Sequence, residues 1–367
     1  MVEWKKLGEV CTLERGVRVV RKNLQESGPI PVFQNSLTPL GFFEKSNYPA
    51  NIPFVICAGA AGEIGFSNGP FWAADDCTCI LCKSSTISKF AYYYLLVKQH
   101  SLKSQVRKAS VPRLSKNTIE NLIIPIPSIA EQKRIVDILD TFTASIDNLK
   151  GQIAQRRKQF EFYRDQLLDL EGKEGVEMKR LGEIGKCIAG ATPSTKNSSY
   201  WDNGTIPWMS SGEVHQGIVK QTASFITQKG YSNSSTKMLP TGTVVIALAG
   251  QGKTRGTVAI TAIELCTNQS LCGVVIDDKN ILNKYVYYYL KTRYNDLRRV
   301  SSGDGTRGGL NLKMVGAYPI PITLLAEQQR IVSILDKFEA SIQNLEEQLS
   351  QRQKQYEYYR NQLLTFE

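Results

Sequence analysis

AEQKRIVDILDTFTASIDNLKGQIAQRRKQFEFYRDQLL, residues 130–168, returns as AEQQRIVSILDKFEASIQNLEEQLSQRQKQYEYYRNQLL at residues 326–364. The two stretches align without a gap at an offset of 196, and 26 of the 39 pairs are identical. A repeat of this length makes the chain two halves, each ending in the same segment. In the first copy Ile135, Leu139, Phe142, Ile146, Leu149, Ile153, Phe160, Tyr163 and Leu167 step by four and three residues in turn, interrupted once, at Arg156. The second copy repeats the seam at Ile331, Leu335, Phe338, Ile342, Leu345, Leu349, Tyr356, Tyr359 and Leu363, with Arg352 at the matching interruption. A 3.5-residue period predicts left-handed coiled-coil packing rather than a helix lying on a globular core. At about 1.5 Å rise per residue, each helix is roughly 58 Å long.

The seam arginines need a partner, because an unpaired charge in a coiled-coil core is costly. Snorkelling to water and contact with another subunit are the alternatives. Pairing with acids of the facing helix, which fixes register, is the expectation.

The chain has 367 residues, 42% of them hydrophobic and 22% charged, which fits two or three soluble globular domains. It has no apolar run of 18 residues and no charged-then-apolar leader before Leu7, so neither a membrane span nor a signal peptide is expected and the default location is cytoplasmic. Eight cysteines are too sparse for a disulfide framework. Cys77, Cys79 and Cys82 crowd together, but with only His100 and His215 as imidazole donors a buried strand with small apolar cysteines is favoured over zinc. The net charge of +11 divides into +5 for residues 1–176 and +6 for residues 177–367. Each half is mildly basic, which permits an acidic partner, nucleic acid first among them.

Each half also opens alike: Trp4-Lys5-Lys6-Leu7-Gly8-Glu9-Val10 is echoed by Met178-Lys179-Arg180-Leu181-Gly182-Glu183-Ile184. Short β-branched runs at Asn51–Ile56, Thr243–Leu248 and Gly273–Ile276 predict strands. Aromatic helices follow at FAYYYLLVKQ from Phe90 and YVYYYLKTRY from Tyr285. Pro125-Ile-Pro127 and Pro319-Ile-Pro321 hold the chain extended before each long helix. The predicted fold is α+β, with domains at 1–128 (first globule), 129–171 (first coiled helix), 172–176 (a glycine-bearing linker), 177–325 (second globule) and 326–367 (second coiled helix).

This order of globule, IPIP stretch, AEQxRIVxILD opening and long helix, repeated once, resembles the DNA specificity subunit of type I restriction-modification systems. Gly190-Ala-Thr-Pro193, Tyr200-Trp201, Ile206-Pro-Trp208 and Gly250-Gln-Gly-Lys-Thr-Arg-Gly256 resemble that family's target recognition domains. The first globule departs from them, with Gly59-Ala-Ala-Gly-Glu-Ile-Gly65 where the second has a basic loop. The resemblance implies two target recognition domains joined by two long antiparallel helices in a pseudo-twofold repeat. It implies a noncatalytic subunit that binds double-stranded DNA at a bipartite, asymmetric target. Two modification subunits using S-adenosylmethionine and two restriction subunits using ATP and magnesium would assemble on it, with no cofactor in this chain and no membrane. A helix of this length spans on the order of 17 base pairs at about 3.4 Å each, which would make it a ruler between half-sites.

On that reading the phosphate-contact candidates in the first half are Lys98, Lys103, Arg107, Lys108, Arg113 and Lys116, an acid-free stretch. In the second half they are Lys291, Arg293, Arg298, Arg299, Arg307 and Lys313, diluted by Asp296 and Asp304. The competing reading of any one of them is a solvated basic face. For base reading, glycine lets backbone approach DNA, arginine pairs bidentately with guanine and glutamine with adenine, which singles out Gln251, Lys253, Thr254 and Arg255. Arg15, Arg18, Arg21 and Lys22 form the corresponding patch of the first globule. Exposed Gln152, Gln155, Lys158, Gln348 and Gln351 on the coiled helices are expected docking positions for modification subunits.

Enzyme readings fare poorly. Gly303-Asp-Gly-Thr-Arg-Gly308 has the dinucleotide spacing but follows a basic helix end rather than an apolar strand, and Gly250–Thr254 lacks the upstream glycine of a phosphate loop, having Ala247. Glu3-Trp-Lys5 and Glu177-Met-Lys179 fit alternating strand residues better than half of a nuclease signature. The remaining alternative is a noncatalytic coiled-coil scaffold that binds proteins.

Overall fold

In each half the opening phrase and the proline-bearing stretch form a two-stranded antiparallel ribbon. Glu3–Lys6 pairs with Ile123–Ile126, and Glu177–Arg180 with Pro319–Ile322. Proline has no amide hydrogen to donate, and a ribbon with a free outer edge tolerates that. Glu3 and Lys5 share one face of their strand and ion-pair at 2.6 Å, as do Glu177 and Lys179 at 3.6 Å. The computed structural model describes residues 2–250, 253–301 and 309–366. They form two compact units, Met1–Gln152 with Leu345–Glu367, and Ile153–Asn344.

The globule of the first unit is built on an antiparallel sheet ordered Cys11–Arg15, Cys77–Cys82, Ile52–Ile56, Ile64–Ser67. Its central strand Ile52–Ile56 is buried throughout because both faces are covered. Val55 and Ile80 face the aromatic helix Ser88–Ser104, while Phe54, Ile56, Cys77 and Cys79 join Phe71 on the opposite side. A second, three-stranded sheet runs Gly41–Phe43, Ile30–Phe33, Trp72–Ala73, the last two strands parallel. Cys77 and Cys79 fill the core as small apolar side chains, and burial pushes both thiols up, Cys79 to about 12.

The second unit repeats the plan. Its larger sheet is ordered Gly185–Ala189, Leu271–Ile276, Val244–Ala247, Val258–Thr261, Ile218–Val219, and its smaller one Ser224–Ile226, Ile206–Met209, Cys266–Thr267. Its aromatic helix Asn283–Thr292 buries Tyr285, Val286, Tyr287, Tyr288, Tyr289 and Leu290, so it is apolar all round and lies inside the core.

The long helices span Ile129–Leu168 and Leu325–Leu363 and run antiparallel. Each begins on the globule of its own half and ends in the other unit. Their first seam positions lie on the globular cores rather than on the facing helix alone. Ile135 and Leu139 pack with Phe90, Tyr93 and Leu364; Ile331 and Leu335 pack with Tyr285, Tyr288 and Leu168. Leu149, Ile146 and Ile153 are also buried, and Phe142, Ile342 and Leu345 are half-buried.

Buried glutamines fix each helix to its globule. Gln132 Nε2 donates to the carbonyls of Ser85 (2.9 Å) and Pro127 (3.0 Å) and its Oε1 accepts from Ile87 N (2.8 Å). Gln328 does the same with Asn280 (3.1 Å), Thr323 (2.8 Å) and Leu282 N (3.0 Å). Asp140 accepts from Tyr93 OH and Lys89, and Asp336 from Tyr288 OH and Lys284.

The seam arginines do not pair with acids of the facing helix. Arg156 lies over the Phe338 ring at 5.8 Å, and Tyr163 stacks on that ring at 5.5 Å. Arg352 lies over Phe142 at 5.7 Å, and Tyr359 stacks on it at 5.3 Å. Arginine and tyrosine seven residues apart sit two helical turns from one another, about 10.5 Å, which leaves room for one ring between them. The aliphatic stem stays in the seam while the charge meets a π-face, so no carboxylate has to be desolvated.

Candidate DNA-recognition edges

In the first globule the chain leaves strand Ile30–Phe33 at Gln34 and Asn35, leaves Ile52–Ile56 at Cys57–Ala60, and makes a hairpin between Arg107 and Arg113. Backbone bonds bring the three together: Ala60 N donates to Asn35 O (2.9 Å), Gly59 N to Pro112 O (3.2 Å), and Leu114 N to Cys57 O (2.9 Å). Arg107 and Arg113 face one another across the hairpin, each amide donating to the other's carbonyl at 2.8 and 3.2 Å. Gly59 has φ +82°, and a Cβ there would stand 2.9 Å from both Cβ and O of Asn35, so only glycine admits this approach.

The second globule has the same junction. Leu310 N donates to Leu248 O (2.9 Å), as Leu114 does to Cys57, and Gly256 N to Ala247 O (2.9 Å), as Gly62 does to Ile56 (2.8 Å). The loop between Ala247 and Gly256 is three residues longer than that between Ile56 and Gly62, and it is the basic one. His215 Nε2 reaches Thr254 Oγ1 at 3.4 Å, joining the turn Ser211–Gln216 to this loop. That turn is closed by Glu213, which accepts from Ser210 N and Oγ and from Ala223 N.

The expected site residues divide by environment. Arg18, Arg21, Lys22, Arg107, Lys108, Arg113, Lys253 and Lys313 are exposed. Arg15 is exposed too, with its Nε donating to Asp75 O. Several others are engaged within the fold. Lys98 lies over Tyr94, while Lys103, Lys116 and Arg299 are themselves exposed and make surface ion pairs with Glu63, Glu120 and Asp296. Lys291 is held by Glu339, Tyr287 OH and the Phe160 ring, and burial lowers its pKa. Arg293 stacks on Tyr289 and pairs with Glu171 and Asp296.

Arg255, expected to point at bases, is only 8% exposed. Gly256, at φ +82°, packs against Tyr294 and Leu297, which turns the preceding arginine inward beside Arg298, whose Nη1 donates to Arg255 O. Arg298 itself lies over Tyr294. Gln251, Arg307 and the Gly303–Gly308 run lie outside the described residues. Gln34, Asn35 and His215 were absent from the expected set. A signal for the first two was present in Ile30-Pro31, which matches Ile206-Pro207 and marks equivalent strands ending at equivalent polar turns.

The family described as type I restriction modification DNA specificity domain matches residues 1–156 and 173–353. The chain is 33% identical to the EcoR124I/EcoR124II specificity subunit of Escherichia coli, covering 100% of this chain and 94% of that one. It is 29% identical to a putative type I specificity subunit of Haemophilus influenzae, covering 100% and 96%. In fold it is similar to the S subunit of M. genitalium, with a TM-score of 0.71 at 18% identity over 100% of this chain and 97% of that one. With its duplicated framework and two loop junctions, this chain belongs to the DNA specificity subunits of type I restriction-modification systems, the family whose role is recognition of DNA sequence.

Proposed function

We propose that the chain reads a bipartite, asymmetric target, one half-site per globule, and assembles two modification and two restriction subunits around it. The observation that supports this is a contrast. The buried glutamines, the tyrosine–aspartate–lysine anchors and the ring-capped seam recur at matching positions, while the two loop junctions carry different residues. A repeated framework suits two copies of the same partner, and unlike junctions suit two different half-sites. Phosphate contacts come from the exposed set: Arg18, Arg21, Lys22, Arg107, Lys108 and Arg113 in one half, Lys253 and Lys313 in the other. Modification subunits dock on the outer helix faces around Gln152, Gln155, Lys158, Gln348 and Gln351, next to Phe162 and Tyr358, each 60% exposed.

The chemistry resides in the partners. S-adenosylmethionine serves the modification subunit, and ATP with magnesium the restriction subunit; specificity subunits of this family are noncatalytic. No described helix is long and apolar enough to cross a membrane, and the proposed site of action is the cytoplasm. Co-expression with the modification subunit, followed by genome-wide mapping of adenine methylation, tests the reading. A split, asymmetric motif is expected. Scattered or absent methylation, together with a flat dependence of binding on salt, would replace this reading with a protein-binding scaffold.

A further inference from the structure

We propose that Asn35 is the adenine-reading residue of the first globule, held in place by Gly59 and framed by Arg107, Lys108 and Arg113. This rests on the DNA-recognition reading above and names one contact within it.

Direct readout needs a side chain that presents a donor and an acceptor together, is free to use both, and is fixed by its backbone. Asn35 meets each condition. Its side chain is exposed and makes no hydrogen bond to any described residue, whereas the neighbouring Gln34 is half-buried with its Nε2 3.5 Å from Asp76 Oδ2. Its own carbonyl is tied to Ala60 N, and the close approach of Gly59 leaves its Cβ little freedom. Asp76 lies on the Gln34 side, and the charge on the Arg107–Arg113 hairpin side is positive. Buried Ala58 bridges to Arg113, Arg113 bridges to Arg107, and Lys108 follows, the three basic residues being exposed.

An asparagine amide pairs bidentately with N6 and N7 of adenine, and flanking cations hold the phosphates that set its register. The second globule puts Ser211 at the same step after its matching strand and closes that turn with Glu213. The second globule therefore has no amide side chain at this step, and the bidentate contact proposed for Asn35 has no counterpart at Ser211.

The test uses the full chain in complex with its modification subunit. First, the wild-type complex defines the methylated motif; without a split motif the broader reading fails before this one is reached. Asn35→Ala should then relax one adenine position in one half of the motif and leave the other half unchanged. Asn35→Asp, an acceptor only, should shift that position toward cytosine, whose N4 donates.

Should methylation in cells fall too low to map, the purified complexes are titrated with four duplexes that differ at that position. The wild type is expected to prefer adenine by on the order of tenfold, and the alanine variant to bind all four alike. An Asn35→Ala complex that keeps the wild-type motif, or still discriminates among the four duplexes, overturns the proposal.

Discussion

Gln132 and Gln328 do the same work in the two halves, whereas the loops after Ile56 and Ala247 do different work. Each glutamine is wholly buried and satisfies one amide and two carbonyls at the point where a long helix meets its globule. The loops share only their glycine-closed ends. One is short and uncharged up to Gly62, with the positive charge moved to the Arg107–Arg113 hairpin; the other carries Lys253 and Arg255 itself. Duplication has kept what holds the globules and released what faces outward.

The strongest test of that contrast is to break the common part. Gln132→Leu leaves Ile87 N and the carbonyls of Ser85 and Pro127 without partners. At about 1–3 kcal/mol for a buried group left unsatisfied, and some relaxation, the expected loss is about 3 kcal/mol. Gln328→Leu should cost the same. Thermal unfolding of the two variants checks this; a clear loss in one and none in the other would mean the halves are not held alike.

Breaking the divergent part should give unequal results. Removing Arg107 and Arg113 together is expected to weaken DNA binding uniformly across sequences and to reduce the slope of log affinity against log salt by about 2. Arg255→Ala should leave that slope unchanged and lower stability by about 1 kcal/mol, because a packed stem is lost rather than a phosphate contact. Binding titrations at several salt concentrations separate the two, and a slope change for Arg255→Ala would return that residue to the DNA.

How far the sequence reached follows the same division. The seam, the sheet strands and the aromatic helices were legible because burial imposes a period on neighbouring residues. Asn35 was not, since its setting is made by segments near 35, 59 and 112 that meet only in the fold. Arg255 misled for a related reason: glycine on both sides reads as exposure, yet Gly256 turns the arginine against Arg298 and Tyr294. Gln132 lies within the repeat, but a polar residue ahead of a heptad pattern reads as surface, and only the ends of Ser85 and Pro127 explain its burial.

The aromatic helices give a milder comparison. Burial raises the pKa of Tyr285, Tyr287, Tyr288 and Tyr289 in the second unit, and of Tyr92, Tyr93 and Tyr94 in the first, where Phe90 takes the place of Tyr285. Unfolded tyrosine titrates near pH 10. With the folded value above it, the stability these groups lend is intact below about pH 10 and is lost as pH rises beyond it. Tyr48 and Tyr356 in the first unit and Tyr318 in the second are raised as well, so the two units carry like sets. Pulse proteolysis at pH 9 and pH 11, with fragments assigned by mass, should show both units cleaved more readily at pH 11, and cleavage that does not rise with pH would break the linkage.

The smallest expected effect lies in the seam, where the two units use one device. Arg156 over Phe338 and Arg352 over Phe142 are partly exposed cation–π contacts, each expected to contribute about 0.5–1 kcal/mol. Leucine in place of either arginine restores an apolar seam, so the single change is nearly neutral and says little by itself. The coupling is what distinguishes the ring contact from an arginine that merely reaches past the seam to water. A double-mutant cycle of Arg156→Leu with Phe338→Leu, repeated for Arg352 and Phe142, isolates that term. Equal favourable couplings would show the same clamp closing both ends of the helix pair. Zero coupling in both would mean that the charge is only solvated, and that register is set by the apolar seam without it.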